Sequence, residues 1–273
     1  MNEVRDGVVA TRAVGTLPDE LENAQRVGPH SIARPGALLR VVEGVGRFLA
    51  RDGRRIDYVA EPGADPRAVQ AVLEGAVLGA IFHQRGDLPL HATAMVSPDG
   101  SRAIAVAGPS GAGKSTTGFA LARAGWTLLS DDLTCVTITN GLPTAWPGRS
   151  RLRLLPDACT RFGLATDTLE RAPNWPDKFV LSLPQWSEPV PLAAVIVLNP
   201  AFQTEPEVVG GAAAARLLAE QTYRLHYVAA LGQAGRHLQL VAATTARARM
   251  VQIGRGCDVF ETAATIGNLF AAA

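Results

Sequence analysis

The segment Gly108-Pro109-Ser110-Gly111-Ala112-Gly113-Lys114-Ser115 constrains this chain more than any other feature. It satisfies G-x-x-x-x-G-K-[ST] at every fixed position. That loop requires a strand before it and a helix after it, and both are written in the sequence. Residues 102–107 are apolar after Arg102 and suit a strand, and residues 115–124 suit a helix stopped by Gly125 at its C′ position. The glycines let the backbone fold closely around a polyphosphate and turn its N–H groups inward. The helix N-terminus adds the positive end of its dipole. Lys114 is placed to reach the β- and γ-phosphates, and the Ser115 hydroxyl to ligate Mg²⁺. The expected phosphate-binding residues are therefore 108–115, followed directly by Thr116. An ordinary Gly-rich strand–helix turn is the competing reading, and the agreement of motif and context argues against it.

Asp131 and Asp132 end a short apolar strand, residues 127–129, directly after that helix. This is the edge at which an α/β sheet presents its ligands. One carboxylate suits Mg²⁺, and an adjacent one suits proton acceptance from an attacking hydroxyl. Successive strand residues point to opposite faces, so the two need not share a role. His91 lies in a strand that hairpins into the strand before the loop, and a lone His in such a setting reads equally as core or functional. His30, His83, His226 and His237 read as structural or exposed.

The rest of the chain supports a two-part organisation, with a small α+β unit over 1–87 and a P-loop α/β domain over 88–273. Residues 1–36 read as a mostly irregular lead-in with room for one short strand. Strands follow at 38–42, 46–50 and 56–60, with an Asp52-Gly53 turn before the third, and then an amphipathic helix from Pro66 to about Gln84. In the second part, strands are expected at 90–96, 133–139, 151–155, 179–183, 193–198 and 238–242. Long helices are expected at 210–231 and 262–272.

The formal net charge of +1 and the absence of a basic run argue against nucleic-acid binding. No stretch is apolar enough to span a membrane, and no signal peptide is visible. Cys135, Cys159 and Cys257 are widely spaced and read as reduced thiols of a cytoplasmic protein. Almost every basic residue is Arg; only Lys114 and Lys178 are Lys, and a compact ammonium suits a point contact to phosphate. Lys178, in a loop before a strand, is thus a candidate second cation for phosphoryl transfer. Arg149, Arg151 and Arg153 alternate along one face of a strand and read first as a solvated face, the alternative being a similar cationic role or binding of an acidic acceptor.

Leu90-His91-Ala92, the loop at 108–115, and Leu128-Leu129-Ser130-Asp131-Asp132, in that order and spacing, resemble the catalytic domain of HPr serine kinase/phosphorylase. The chain is more similar still to the smaller HPr-kinase-like proteins, among them kinases of lasso-peptide precursors. The resemblance covers about residues 38–200 and is most specific over 88–155. It implies a kinase core similar to that of phosphoenolpyruvate carboxykinase, with ATP and Mg²⁺ as cofactors, and transfer to a serine hydroxyl of a peptide or small protein. By the same resemblance Asp132 is the proton acceptor, Asp131 supports the metal, and His91 helps hold the transferring group. Asp157 is the nearest match to the downstream acidic metal ligand. Thr116 stands where HPr kinases carry Glu, and the signature linked to their phosphorylase reaction is absent. HPr kinases are hexamers and the smaller relatives need not be, so a homo-oligomer remains open. The competing functions are a small-metabolite kinase and an ATP-binding sensor without efficient transfer. A motor-type ATPase would want Glu after the acidic pair, where this chain has Leu133.

Overall fold

A computed structural model describes residues 9–173, 175–202, 205–254 and 258–271. The chain forms two units, Met1–Pro89 with Tyr223–Leu240, and Leu90–Thr222 with Val241–Ala273.

The first unit is built on six strands: β1 (Ala10–Ala13), β2 (Gln25–Arg26), β3 (Ser31–Arg34), β4 (Ala37–Val42), β5 (Gly46–Arg51) and β6 (Arg55–Ala60). Their order is β1-β6-β5-β4-β3-β2, and only the β1–β6 pair is parallel. The β5–β6 turn carries Asp52 and Gly53 at φ 54° and 66°, the left-handed pair that a tight hairpin needs. The stretch expected to be mostly irregular thus contributes β1–β3, short strands held by pairing rather than by a strong pattern of their own. A helical run follows, with α1 (Pro66–Val72), a π-helical turn at Leu73–Val77, and α2 (Leu78–Arg85). Asp65 caps it through Arg67 N, Pro66 occupies its first turn, and Gly86 at φ 73° closes it. Its apolar stripe, Val69, Val72, Leu73, Val77 and Ile81, packs with Leu38, Phe48 and Ile56.

The second unit begins where β7 (Leu88–Leu90) runs into β8 (Ala92–Val96), which hairpins into β9 (Ala103–Ala107). After the glycine loop come α3 (Lys114–Arg123), β10 (Thr127–Ser130), β11 (Thr134–Thr139), β12 (Leu142–Ala145) and β13 (Arg151–Leu154). Next are α4 (Pro156–Arg161), β14 (Glu170–Ala172), β15 (Trp175–Ser182), β16 (Val190–Leu198), β17 (Glu207–Val209) and α5 (Gly211–Glu220). In the main sheet β10, β8, β9 and β16 are neighbours in that order. β8 is antiparallel to both β10 and β9, while β16 runs parallel to β9. The C-terminal ends of β9 and β10 and the N-terminal end of β8 therefore share one edge of the sheet. A separate three-stranded sheet, β13-β15-β14, pairs Arg153 with Val180 and Leu154 with Phe179. Leu152, Leu154 and Phe179 join the core formed by Met95, Ile104, Val106, Phe119 and Ile196. Alternation then sets Arg151, Arg153 and Lys178 together on its other face.

Helices α6 (Tyr227–Ala230) and α7 (Ala234–Thr245) come next, then β18 (Arg249–Ile253), parallel to β16, and α8 (Val259–Ala271). The structure corrects several expectations here. The long helix over 210–231 is two helices, because the chain turns between Gln221 and His226 with Arg224 at φ 50°. Residues 238–242 are not a strand but the middle of α7, where Leu240 and Val241 are buried and Leu238 is exposed. β18 was not expected at all. The linear division at residue 87 also misses that Tyr223–Leu240 belongs with the first unit, since Tyr227, Ala230 and Leu231 lie in that unit's core. Among the described residues no helix is long and apolar enough to cross a membrane. Cys135 and Cys159 are buried free thiols; Cys257 and Asn174 lie outside the described residues.

Candidate active site

The glycine loop joins β9 to α3. Gly108, Gly111 and Gly113 have φ of 139°, 83° and 96°, a backbone that side chains rarely adopt. A Cβ on Gly108 would stand 2.5 Å from the Leu198 carbonyl oxygen, so no other residue fits that approach. Lys114, only 9% exposed, folds back over the loop and donates to the Gly108 and Pro109 carbonyls at 2.9 and 3.1 Å. Burial lowers its pKa, against the pull of Asp132 and Asp131. Thr116 is half-buried one residue beyond Ser115. It borders a small cleft with Ala112, Gly113, Thr117, Leu198, Val259 and Thr262.

The acidic pair ends β10 at the same edge. Asp131 is fully enclosed and accepts from Thr93 Oγ1 at 2.6 Å and from Ser115 Oγ at 3.1 Å. Burial raises its pKa above the usual carboxylate range, and the hydroxyl bonds and Arg153 only partly offset this. Thr93 is brought to it from β8, and close packing against α3 sets its position: a Cβ on Gly118 would stand 2.6 Å from Thr93 Cγ2. Asp132 takes the left-handed conformation at φ 71°, a cost of about 1 kcal/mol or more for a residue with a side chain. That kink breaks strand alternation, so the two neighbouring carboxylates serve one site with separate partners. Arg153 Nη2 lies 2.6 Å from Asp132 Oδ2. His91 Nδ1 lies 3.0 Å from the Asp132 carbonyl oxygen and 3.4 Å from Oδ1. Burial alone would raise the pKa of Asp132, but Arg153, His91 and Arg149 overcome it and hold the carboxyl below its usual value. Burial and Lys114 lower the pKa of His91.

The structure thus gathers Lys114, Ser115, Asp131, Asp132 and His91 at one sheet edge. Lys178 is in β15 rather than a loop, half-buried, with its ammonium 5.3 Å from the Trp175 ring centroid. Its charge is felt at Lys114. Asp157 is exposed in the first turn of α4, away from these contacts. Sequence reasoning missed Thr93, which holds Asp131, and favoured the wrong reading of Arg153, which is not a solvated side chain but the ion-pair partner of Asp132. The alternation of Arg149, Arg151 and Arg153 was the visible signal for Arg153; Thr93 gave none.

No family model matches the chain, and no curated protein matches it in sequence. The solved structure of the Hpr(Ser) kinase/phosphatase from Coxiella burnetii is similar to it at 13% identity and a TM-score of 0.35, over 66% of this chain and 95% of that one.

The residues present fit a nucleoside triphosphate with Mg²⁺. The loop is a cradle of positive-φ glycines, and Lys114 caps it. The Ser115 hydroxyl and the Asp131 carboxylate already touch, a hard oxygen pair suited to Mg²⁺. Among the described residues no group of three or more His, Cys, Asp or Glu forms a ready metal cage. Mg²⁺ needs none where one or two carboxylates act with substrate phosphates.

Proposed function

We propose that this chain is an ATP- and Mg²⁺-dependent kinase that transfers the γ-phosphoryl group to a hydroxyl acceptor. The observation that supports it most is the division of labour between the neighbouring aspartates. Asp131 is tied to the loop serine, and Asp132 is held apart from it by Arg153 and His91. A nucleotide-binding sensor needs the first of these and has no use for the second. Bound Mg²⁺ would supply charge neutralisation at the phosphates, with Ser115 and Asp131 as its protein ligands. Lys114 would leave its loop carbonyls for phosphate oxygens. Asp132 would accept the proton of the acceptor hydroxyl and orient its oxygen for in-line attack. Its low pKa keeps it ionised for that task, and in a loose transition state orientation counts for more than basicity. Arg153, Lys178 and His91 would then balance charge around the transferring group.

We take the acceptor to be a serine of a peptide or small protein in the cytoplasm, a lasso-peptide precursor being the specific case. This follows the resemblance of the His91, loop and Asp131-Asp132 arrangement to HPr-kinase-like proteins. A small-metabolite kinase is the second reading, since the same residues would serve it. The test is intact-mass spectrometry of a precursor peptide encoded beside this chain's gene, after incubation with Mg-ATP. Added phosphate is expected with the unaltered protein. Asp132→Asn should bind ATP and lose transfer by about 10²–10⁴-fold. ATP binding that depends on Lys114, with no phosphate on any peptide, would overturn the peptide assignment.

A further inference from the structure

The hydroxyls around the glycine loop divide into those the protein uses and those it does not. Ser115 and Thr93 both donate to Asp131. Thr262, in the first turn of α8, donates to the Asp258 carbonyl at 3.1 Å, the usual recourse of a helical threonine. Thr117, in the first turn of α3, makes no such bond. Its N–H donates to the Gly113 carbonyl at 2.8 Å. Its hydroxyl has no hydrogen-bond partner among the described residues, although the residue is only 3% exposed. The Thr116 hydroxyl beside it has none either. A hydroxyl so enclosed is costly unless a partner reaches it.

These three threonines border one cleft, whose apolar walls are Ala112 of the loop, Leu198 at the end of β16, and Val259. Its walls are fixed from behind. Phe119 of α3 shares a core with Ala263, Ile266 and Phe270 of α8, so the two helices are held against each other. The close approach of Gly108 to the Leu198 carbonyl pins the loop to the end of β16. No charged side chain borders the cleft. Its occupant is therefore an uncharged group that covers apolar surface and exchanges hydrogen bonds with hydroxyls. About 260 Å³ of space opens there, below the roughly 300–1,000 Å³ of a pocket that engulfs a drug-sized ligand. The occupant is held along one side and keeps the other in water.

The place of the cleft beside the loop tells what that group is. In the main sheet β9, which leads into the loop, lies between β8 and β16. The Ser115–Asp131 contact, backed by Thr93 of β8, is on one side of the loop. Leu198 and the cleft are on the other. A triphosphate along the loop with its γ end at Asp131 and Asp132 would bring its α end to the cleft. We propose that the cleft seats the nucleoside half of the nucleotide. The Thr117 and Thr262 hydroxyls bond the ribose or base, and Leu198 and Val259 cover its apolar side. The proposal rests on the nucleotide reading given above and deepens it, since these residues would select a nucleoside triphosphate over a bare polyphosphate.

The test is titration calorimetry of the full chain with two Mg²⁺-loaded probes, β,γ-imido-ATP and inorganic tripolyphosphate. Thr117→Val removes the unpartnered hydroxyl and keeps the shape of the side chain. Val259→Phe fills the cleft from a half-buried position in the first turn of α8. Affinity for the ATP analogue should fall roughly three- to tenfold in Thr117→Val, from loss of one hydrogen bond. It should fall about tenfold or more in Val259→Phe, whose ring takes the space of the nucleoside. Tripolyphosphate should bind both variants as it binds the unaltered protein. Without ligand, Thr117→Val should unfold at the same temperature or higher, because the hydroxyl it removes serves no contact in the fold. An analogue affinity unchanged in either variant, an equal loss for tripolyphosphate, or a lowered unfolding temperature in Thr117→Val would overturn the seat and leave the loop as the nucleotide site. Failure of both probes to bind the unaltered protein would overturn the nucleotide reading and the seat with it.

Discussion

Replacing Thr93 by Val removes one hydroxyl from the most enclosed part of the candidate active site. Thr93 and Asp131 are 0% and 2% exposed, and their bond is 2.6 Å long. Hydrogen bonds to charged groups contribute about 1.5–3 kcal/mol, and valine leaves the carboxylate oxygen nothing in exchange. The expected loss at pH 7 is therefore about 2 kcal/mol. Its pH dependence has a definite sign. Burial raises the folded pKa of Asp131, so ionisation of this group opposes folding, and stability falls as pH rises through the raised value. The Thr93 bond counters that loss. The cost of Thr93→Val should thus be largest at neutral pH and shrink in acid, as Asp131 takes up its proton. Urea unfolding followed by tryptophan fluorescence at both pH values measures it. A double-mutant cycle with Asp131→Asn isolates the charge, and in that background the cost should drop to about 1 kcal/mol, the scale of a neutral hydrogen bond. A loss under about 0.5 kcal/mol at pH 7, or one undiminished by Asp131→Asn, would refute the view of Thr93 as the support of a buried anion.

Other expectations follow from neighbouring contacts. Arg153→Met frees Asp132 from the cation that does most to lower its pKa, so the acid limb of the pH–rate profile should move to higher pH; an unmoved limb with reduced rate would assign Arg153 to the phosphoryl group alone. Gly118→Ala drives a Cβ to 2.6 Å from Thr93 Cγ2, and thermal unfolding should show a destabilisation of about 1–3 kcal/mol. His83 bonds the Tyr223 carbonyl at 2.8 Å, and burial lowers its pKa to about 4. Stability should fall as pH drops from 6.5 towards 4, by about 3 kcal/mol, and His83→Gln should flatten that slope.

The gathering of the candidate site's residues was legible in the sequence wherever they are neighbours or fall into one local pattern. The loop, Asp131-Asp132 and His91 belong to segments whose strand and turn signals are strong, and the hairpin of β8 and β9 fixes their shared edge. Arg153 was misread because its meaning depends on a contact with Asp132, and strand periodicity says only that it alternates with Leu152 and Leu154. Thr93 looked like any strand threonine, since its role comes from Gly118 leaving room on α3 for close approach. The errors in the fold have a similar origin. Leu238-Gln239-Leu240-Val241 alternates locally like a strand, and only the buried pair Leu240–Val241 beside exposed Leu238 shows a helix. The break after α5 depends on Arg224 taking a backbone conformation that arginine seldom adopts, which no propensity would suggest. Short strands such as β2, of two residues, exist through their partners and leave almost no trace in composition.

The division of the first unit between Met1–Pro89 and Tyr223–Leu240 bears on how the chain is made. Tyr227, Ala230 and Leu231 fill that unit's core, so a nascent chain that has only its N-terminal strands and helices still lacks part of its own interior. At ~5–20 residues per second the wait for the second segment is on the order of ten seconds, during which Phe48, Val69 and Ile81 lack their full cover. The second unit's P-loop segment emerges within that interval too, and it has the same dependence, because Val251, Ile253 and Ile266 of its core come after Leu240. A ribosome stalled before Tyr223 should accordingly hold a first unit open to protease, and release of synthesis past Leu240 should close it.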